Sequence, residues 1–202
     1  MVTRMDDSRD DAPSPASHEE AEAIARVLAG DADAFEPLVQ RLHGPLFGYL
    51  VALTGDREEA ADVTQEAFLR AYATLGRFDT SGPFKPWLYR IATNLAISRR
   101  RAAGRHCEQS LDAAPEFAAA IPDPRPTPRT EAQREELLQH LAEALDALPE
   151  EARALFNLRY QQDLPVEQIA AIYGRRPNTI AVALHRIRLR LRWLVFHDEP
   201  GA

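Results

Sequence analysis

Pro115, Pro122, Pro124, Pro126 and Pro128 crowd into fourteen residues of the 202-residue chain. Proline fixes its own φ, lacks an N–H donor and biases the preceding residue toward extended backbone, so neither a helix nor a central strand survives that density. The run reads as an extended, partly stiff tether. It leaves about a hundred residues before it and about seventy after it, each enough for one small domain. The expected organisation is an acidic disordered tail (1–16), a first domain (17–103), a linker (104–130), a second domain (131–196) and a short tail (197–202). Apolar residues in both domains recur at helical spacing, and nothing alternates with period two for long. The expected fold class is therefore all-α, two small helical domains joined by a proline-rich linker.

Local signals place the helices. Ser17 with Glu20 has capping-box spacing and Gly30 supplies a stop, so a first helix is expected between them. A second, from about Ala34 to Leu53, carries Phe35, Leu38, Leu42, Leu46, Leu50 and Leu53 as an apolar stripe, with a kink or break expected at Gly44-Pro45. Asp56 with Glu59 repeats the cap signal and opens a third helix to about Leu75, closed by Gly76. Gly82, Pro83 and Pro86 make residues 77–86 a loop, and the run from Trp87 to Ile97 then forms a helix ending in Arg99-Arg100-Arg101. Beyond the tether, helices are expected over 131–147, from Glu150 to about Gln161, from Pro165 to Tyr173 and from Pro177 to about Val195, with a tight turn at Gly174.

Charge is more informative by position than in total. The net charge of −7 excludes a uniformly basic, histone-like binder. Yet residues 70–106 hold eight basic residues against the single acid Asp79, and residues 171–194 hold six arginines and no acid. Lys85 is the only lysine, and arginine favours planar, multidentate contact with phosphate and base edges. Two such islands point to a polyanion that touches both. The single cysteine, Cys107, excludes an intramolecular disulfide and a cysteine-based zinc site, and reads as an incidental exposed thiol at the start of the tether. Among the six histidines no metal-ligand spacing occurs, and no paired carboxylates sit beside a glycine-rich phosphate loop. Neither a cofactor nor a metal is expected, nor an enzyme. No apolar run approaches the ~20 residues needed to cross a bilayer, and the acidic N-terminus does not read as a signal peptide. A cytoplasmic protein is the expectation.

Two constellations carry the chemistry. Near the C-terminus, two helices flank a glycine-bearing turn and the second is basic, the pattern of a helix-turn-helix. In that last helix Ile180, Leu184, Ile187, Leu191 and Leu194 make a buried stripe, Arg186 and Arg190 lie on one flank and Arg188 and Arg192 on the other. Arg175, Arg176, Asn178 and Thr179 sit at the end that enters a major groove first, where Arg suits guanine and Asn suits adenine. In the first domain, Glu59, Asp62 and Glu66 with Gln65 beside them form an acidic helix face suited to a basic protein partner or to water. Phe78, Phe84, Trp87 and Tyr89 then interleave with Arg77, Lys85, Arg90 and Arg99 to Arg101, a composition suited to stacking on exposed bases. Trp87 sits at core spacing with Leu88, Ile91 and Leu95, which favours burial over stacking.

The strings Asp62-Val63-Thr64-Gln65-Glu66-Ala67-Phe68-Leu69-Arg70-Ala71-Tyr72 and Phe84-Lys85-Pro86-Trp87-Leu88-Tyr89-Arg90-Ile91-Ala92-Thr93-Asn94 resemble region two of extracytoplasmic-function (ECF) sigma factors of bacterial RNA polymerase, in the sigma-70 family. Leu148-Pro149-Glu150-Glu151, Leu158-Arg159-Tyr160, Val166-Glu167-Gln168-Ile169-Ala170, Thr179-Ile180 and Leu184-His185-Arg186 resemble their region four. The resemblance spans about residues 20–102 and 132–195. It implies a protein that binds core RNA polymerase and directs promoter-specific initiation, regulated by an anti-sigma factor. Glu59, Asp62, Gln65, Glu66 and Arg70 would dock on the clamp helices of the largest polymerase subunit. Phe78, Thr80, Ser81, Phe84, Lys85, Trp87 and Asn94 would read the minus-ten element and hold a flipped base, with Arg90, Arg99, Arg100 and Arg101 on the backbone. Arg175, Arg176, Asn178, Thr179, His185 and Arg186 would read the minus-thirty-five element as duplex.

The chain departs from the family where Lys or Arg is usual: Ala181 and Ala183 stand in the recognition helix, so some contacts are expected to be missing there. Ser98 replaces a common aspartate, and Thr64 reads as a plain surface threonine rather than a phosphorylation site. The alternative reading is a stand-alone helix-turn-helix regulator on a (pseudo)palindromic operator, which leaves the acidic helix and the aromatic-arginine loop without a role.

Overall fold

The structure is a computed structural model and describes residues 15–104 and 131–197. Readings that concern the N-terminal tail, the proline-rich tether, Cys107 and the last five residues lie outside the described residues. Among the described residues eight α-helices follow one another: α1 (Pro15–Leu28), α2 (Glu36–Thr54), α3 (Arg57–Thr74), α4 (Phe84–Ala102), α5 (Glu131–Asp146), α6 (Glu150–Phe156), α7 (Val166–Tyr173) and α8 (Pro177–His197). Short 3-10 turns cover Ala32–Phe35 and Leu75–Arg77, and a π turn over Asn157–Gln161 prolongs α6. No strand occurs among the described residues.

Four local signals give way. Helix α1 begins at Pro15, so Ser17 lies inside it instead of capping it; proline suits a first helical turn because no intrahelical donor is needed there. Helix α2 passes through Gly44-Pro45 as one element. Both residues are exposed, while Leu42, Leu46, Tyr49 and Leu50 on the other side are buried and hold the helix through the missing hydrogen bond. Helix α4 starts at Phe84, so the expected loop shrinks to residues 78–83 and Pro86 falls within the first turn, another position that lacks an intrahelical donor requirement. The third helix does not close on Gly76; Thr74 passes into the 3-10 turn instead.

Other signals act as read. The Asp56 carboxylate accepts hydrogen bonds from the backbone N–H groups of Glu58 (2.8 Å) and Glu59 (3.1 Å), capping α3. The α7–α8 turn is made by Gly174 at φ 63°, left-handed backbone that glycine adopts without strain. Small residues at Ala60, Val63, Thr64, Ala67 and Ala71 let α3 pack against α2 and α4. Thr64 is therefore a core residue, not a surface one: it is fully buried and its hydroxyl donates to the Ala60 carbonyl (2.7 Å).

Helices α5–α8 form the second domain, with α8 packed on α5, α6 and α7 through Ile180, Ala183, Leu184, Ile187 and Leu191. The two domains touch directly. Helix α2 packs on α6 and α4 on α7, and a continuous set of buried apolar residues runs from Ile24 to Leu191.

Candidate functional site

Three surfaces collect the residues singled out in the sequence. On α3, Asp62, Gln65 and Arg70 are exposed and Glu59 and Glu66 half-buried, along one side of the helix. Glu66 bonds both Arg70 one turn on and Arg99 of α4, the latter at 2.6 Å, and Asp62 lies 3.8 Å from the same guanidinium. The hydrogen bond from Arg99 does most to hold the Glu66 carboxyl below its ordinary range, with Arg70 adding to it. Between these charges stand Leu69 and Tyr72, 63% and 43% exposed. They continue the helical series from Asp62 and Gln65, and the Tyr72 ring meets Phe35 edge-on (5.3 Å between centroids). Sequence reasoning missed both. Their signal was an apolar residue outside the buried stripe of an otherwise acidic helix face.

The second surface runs from the 78–83 loop along α4. Asp79 accepts from both the N–H (3.0 Å) and the hydroxyl (2.7 Å) of Ser81, which folds the loop tip and holds the Asp79 carboxyl down. Thr80 and Ser81 are exposed at that tip. Behind it Phe78, Phe84 and Trp87 cluster, with centroid separations of 4.9 Å (Phe78–Trp87), 5.6 Å (Phe84–Trp87) and 5.7 Å (Phe78–Phe84). Phe84 is buried and anchors the cluster; Phe78 and Trp87 are half-buried, each packed on the core with one part open. Trp87, Arg90, Asn94 and Arg101 are spaced three, four and seven apart, a single α4 stripe on which Arg90, Asn94 and Arg101 are exposed.

The arginine triplet divides three ways. Arg99 turns to Glu66 on α3, and Arg101 points to solvent. Arg100 turns inward, 14% exposed, donating to the Leu53 carbonyl (3.0 Å) and pairing with Glu150 of the second domain (2.7 Å). Lys85 is also drawn to that domain: its Nζ donates to the Gln162 carbonyl (3.0 Å) and lies 5.9 Å from the Tyr89 ring. Burial pushes the Lys85 ammonium below its ordinary range, against the opposing charges of Glu20 and Asp163.

The third surface is the N-terminal half of α8. Arg176 accepts the first helical N–H bonds, from Thr179 (3.0 Å) and Ile180 (3.3 Å), and Pro177 begins the helix. Arg176, Asn178, Ala181, Val182, His185 and Arg188 are exposed, whereas Arg175, Thr179 and Arg186 are half-buried. Ala181 thus stands on the outward face as aligned, but Ala183 does not: it is 5% exposed and packs in the core, so no contact is missing there. Arg188, left out of the reading set, lies one turn from His185, with 3.5 Å between its guanidinium and the ring Nδ1.

No group of metal-ligating side chains occurs among the described residues, and none of the described helices is long and apolar enough to cross a membrane. Against known families, residues 38–106 match Sigma-70 region 2 and residues 138–191 match Sigma-70, region 4. The RNA polymerase sigma-H factor of Pseudomonas aeruginosa is 33% identical over 176 residues, covering 84% of this chain and 90% of that protein. This chain belongs to the ECF sigma factors of the sigma-70 family. The ECF RNA polymerase sigma factor SigW of Bacillus subtilis is 31% identical over 84% of this chain and 92% of its own length. The ECF sigma-E factor of Escherichia coli is 34% identical over 82% and 88%. Among solved structures, sigma factor RpoE of Bartonella quintana, crystallised with the anti-sigma factor NepR, superposes with a TM-score of 0.59 at 25% identity, covering 82% of this chain and 98% of its own. CnrH, solved with the cytosolic domain of CnrY, shares the fold at a TM-score of 0.61 and 23% identity, over 90% and 99% of the two chains. An ECF sigma factor accounts for both basic islands and for the acidic helix that precedes them, which a stand-alone regulator does not.

Proposed function

We propose that residues 17–103 form the polymerase-binding and minus-ten-reading domain, that residues 131–196 form the minus-thirty-five-reading domain, and that residues 104–130 link them. The α3 side bearing Glu59, Asp62, Gln65, Glu66 and Arg70 docks on a basic element of core RNA polymerase, with Leu69 and Tyr72 as its apolar centre. This mix is that of a protein interface: apolar anchors excluded from water within a charged rim. The 78–83 loop and the α4 stripe of Trp87, Arg90, Asn94 and Arg101 take the single-stranded minus-ten element, where Phe78 and Trp87, backed by the buried Phe84, wall a base pocket. Arg175, Arg176, Asn178, Thr179, His185 and Arg186 enter the major groove of the upstream element. The observation that carries this reading is the adjacency, on α3 and α4 of one domain, of an acidic-apolar face and an arginine-aromatic face.

The chemistry of RNA synthesis belongs to the polymerase on this reading, so the chain is not an enzyme and works in the cytoplasm without a cofactor. Its regulator is an anti-sigma factor, as for the Bartonella relative. Run-off transcription with purified core polymerase on fragmented genomic DNA tests the proposal. Discrete new transcripts are expected only when this protein is added, and initiation indifferent to it would refute the reading. Replacing Asp62 and Gln65 by lysine together with Leu69→Ala should abolish association with core polymerase without altering the helical circular dichroism.

A further inference from the structure

The carboxylate that caps α4 comes from another helix. Pro83 holds the N-cap position of α4 and makes no side-chain hydrogen bond there, and Pro86 in the first turn has no N–H to offer. Instead the backbone N–H of Phe84 donates to the carboxylate of Glu20 on α1. That carboxylate pairs with Arg41 of α2 (2.7 Å), and its side chain is only 14% exposed. It also faces the positive pole of α4 and the Lys85 ammonium in the first turn. Burial pushes the Glu20 carboxyl up, while Arg41, Lys85 and the Phe84 N–H draw it down. In sequence Glu20 stands at capping-box spacing from Ser17, as a cap for its own helix. Helix α1 starts at Pro15, so Glu20 has no such role there and serves α4.

What this tie holds is the end of the 78–83 loop. The bonds within the loop are local: the Phe78 N–H to the Leu75 carbonyl (3.0 Å), the Gly82 N–H to the Asp79 carbonyl (3.1 Å), and the Ser81 contacts with Asp79 at the tip. They shape the tip without fixing it to α4. Phe84 makes that connection, with its ring edge-on to Phe35 (6.3 Å) and Phe78 (5.7 Å) and its N–H on Glu20. Apolar packing is non-directional and sets only where α4 begins; a hydrogen bond is directional and sets the angle at which the chain enters it. A pocket for an extruded base tolerates little drift in that angle, because the cost of unstacking is offset only by contacts already in place.

We propose, resting on the minus-ten assignment above, that Glu20 is a positioning residue for promoter opening. From α1 it fixes the start of α4, and so holds the 78–83 loop and the Phe78 and Trp87 walls in the geometry that receives the base. Glu20 itself touches no DNA. Helix α1 is thereby part of the minus-ten reader, and Arg41 of α2 keeps the Glu20 carboxylate aimed at the Phe84 N–H.

A promoter recovered by the run-off transcription above makes the role measurable. 2-Aminopurine is placed in turn at each base of the non-template minus-ten strand, and its fluorescence rises where holoenzyme draws the base out of the stack. In E20A the equilibrium constant for opening should fall about tenfold, the loss expected of a missing helix cap at a factor of ten per ~1.4 kcal/mol. E20Q keeps an acceptor for the Phe84 N–H and should recover most of that loss. The exchange E20R/R41E restores an ion pair between α1 and α2 but offers that N–H no acceptor at position 20, and should stay as defective as E20A. Affinity for core polymerase should remain within about twofold of wild type in all three, because α3 presents that surface independently. An E20A holoenzyme that opens the promoter as wild type does overturns the proposal. So does rescue by the exchange, which would reduce Glu20 to a tie between α1 and α2, and so does a parallel loss of core association, which would make it a residue of the fold alone. A wild-type holoenzyme that transcribes but leaves the probe dark at every position overturns the minus-ten assignment, and the positioning role with it.

Discussion

Tyr49 shows how one side chain records both the packing and the use of the fold. Its ring fills the centre of the first domain against Tyr89, 5.2 Å away, and its hydroxyl reaches into the second. Burial pushes its pKa up to about 12 from 10.0, offset in part by its bonds to Thr93 and Tyr173. Below pH 10 the group is neutral whether folded or unfolded and shifts nothing. Between pH 10 and about 12 the unfolded chain ionises there while the folded one does not, so stability falls as pH rises through that window. At about 1.4 kcal/mol per unit, the two-unit difference corresponds to a loss of about 3 kcal/mol. Denaturant titrations at pH 9 and above should show this alkaline slope in wild type and a shallower one in Tyr49→Phe. A slope that the phenylalanine leaves untouched would show that the hydroxyl is not buried in the folded protein. Nothing in the sequence marks Tyr49 for this: it falls between Leu46 and Leu50 in an ordinary apolar stripe.

Helices are the scale at which the sequence was most legible, and also where its few failures cluster. Cap residues and 3.6-residue periodicity act over a single turn, so α3, α7 and α8 stand where the pattern set them. Pro45 and Pro86 misled because proline disrupts a helix only when its missing donor matters. It does not matter in a first turn, and flanking buried residues outweigh it at an exposed position. The N-cap of α3 gives a direct check: Asp56→Ala should destabilise the protein by about 1 kcal/mol in urea unfolding, whereas an equivalent change at Glu58 should be near neutral. The triplet at the end of α4 was read as a single basic patch, because sequence shows charge without direction. Successive residues are turned ~100° apart on a helix, so Arg99, Arg100 and Arg101 address a carboxylate, a domain partner and solvent in turn. Arg101→Ala should then weaken binding of holoenzyme to promoter DNA, by about 1 kcal/mol or somewhat more, while leaving unfolding unchanged. Arg99→Ala should loosen the α3–α4 tie, and a reversed pattern between the two would reassign the triplet.

Contact between domains left no local trace in the sequence. Its residues carry other readings there: Lys85 and Arg100 as DNA ligands, Glu150 and Glu151 as part of a string resembling region four, and Tyr173 as the end of a short helix. Long-range pairing depends on which surfaces the whole chain brings together, and neither periodicity nor composition encodes that directly. What the sequence does hold is the length of the segment between the domains, and that length limits how far they can separate. Closed, the junction needs only enough chain to connect the end of α4 to the start of α5; on the function proposed above, elements about 25 base pairs apart would hold the reading ends about 85 Å apart at ~3.4 Å per pair, part of which the domains' own widths supply. Deleting about 20 of the 26 intervening residues leaves a reach of about 20 Å. Such a protein should keep the compact scattering profile of wild type and still associate with core polymerase. Its transcription from a promoter with both elements should drop to the level seen when the upstream element is scrambled, because one domain can engage only by releasing the other. Full activity from the shortened chain would show that the two reading surfaces never need to separate, and the closed arrangement would then be the working one.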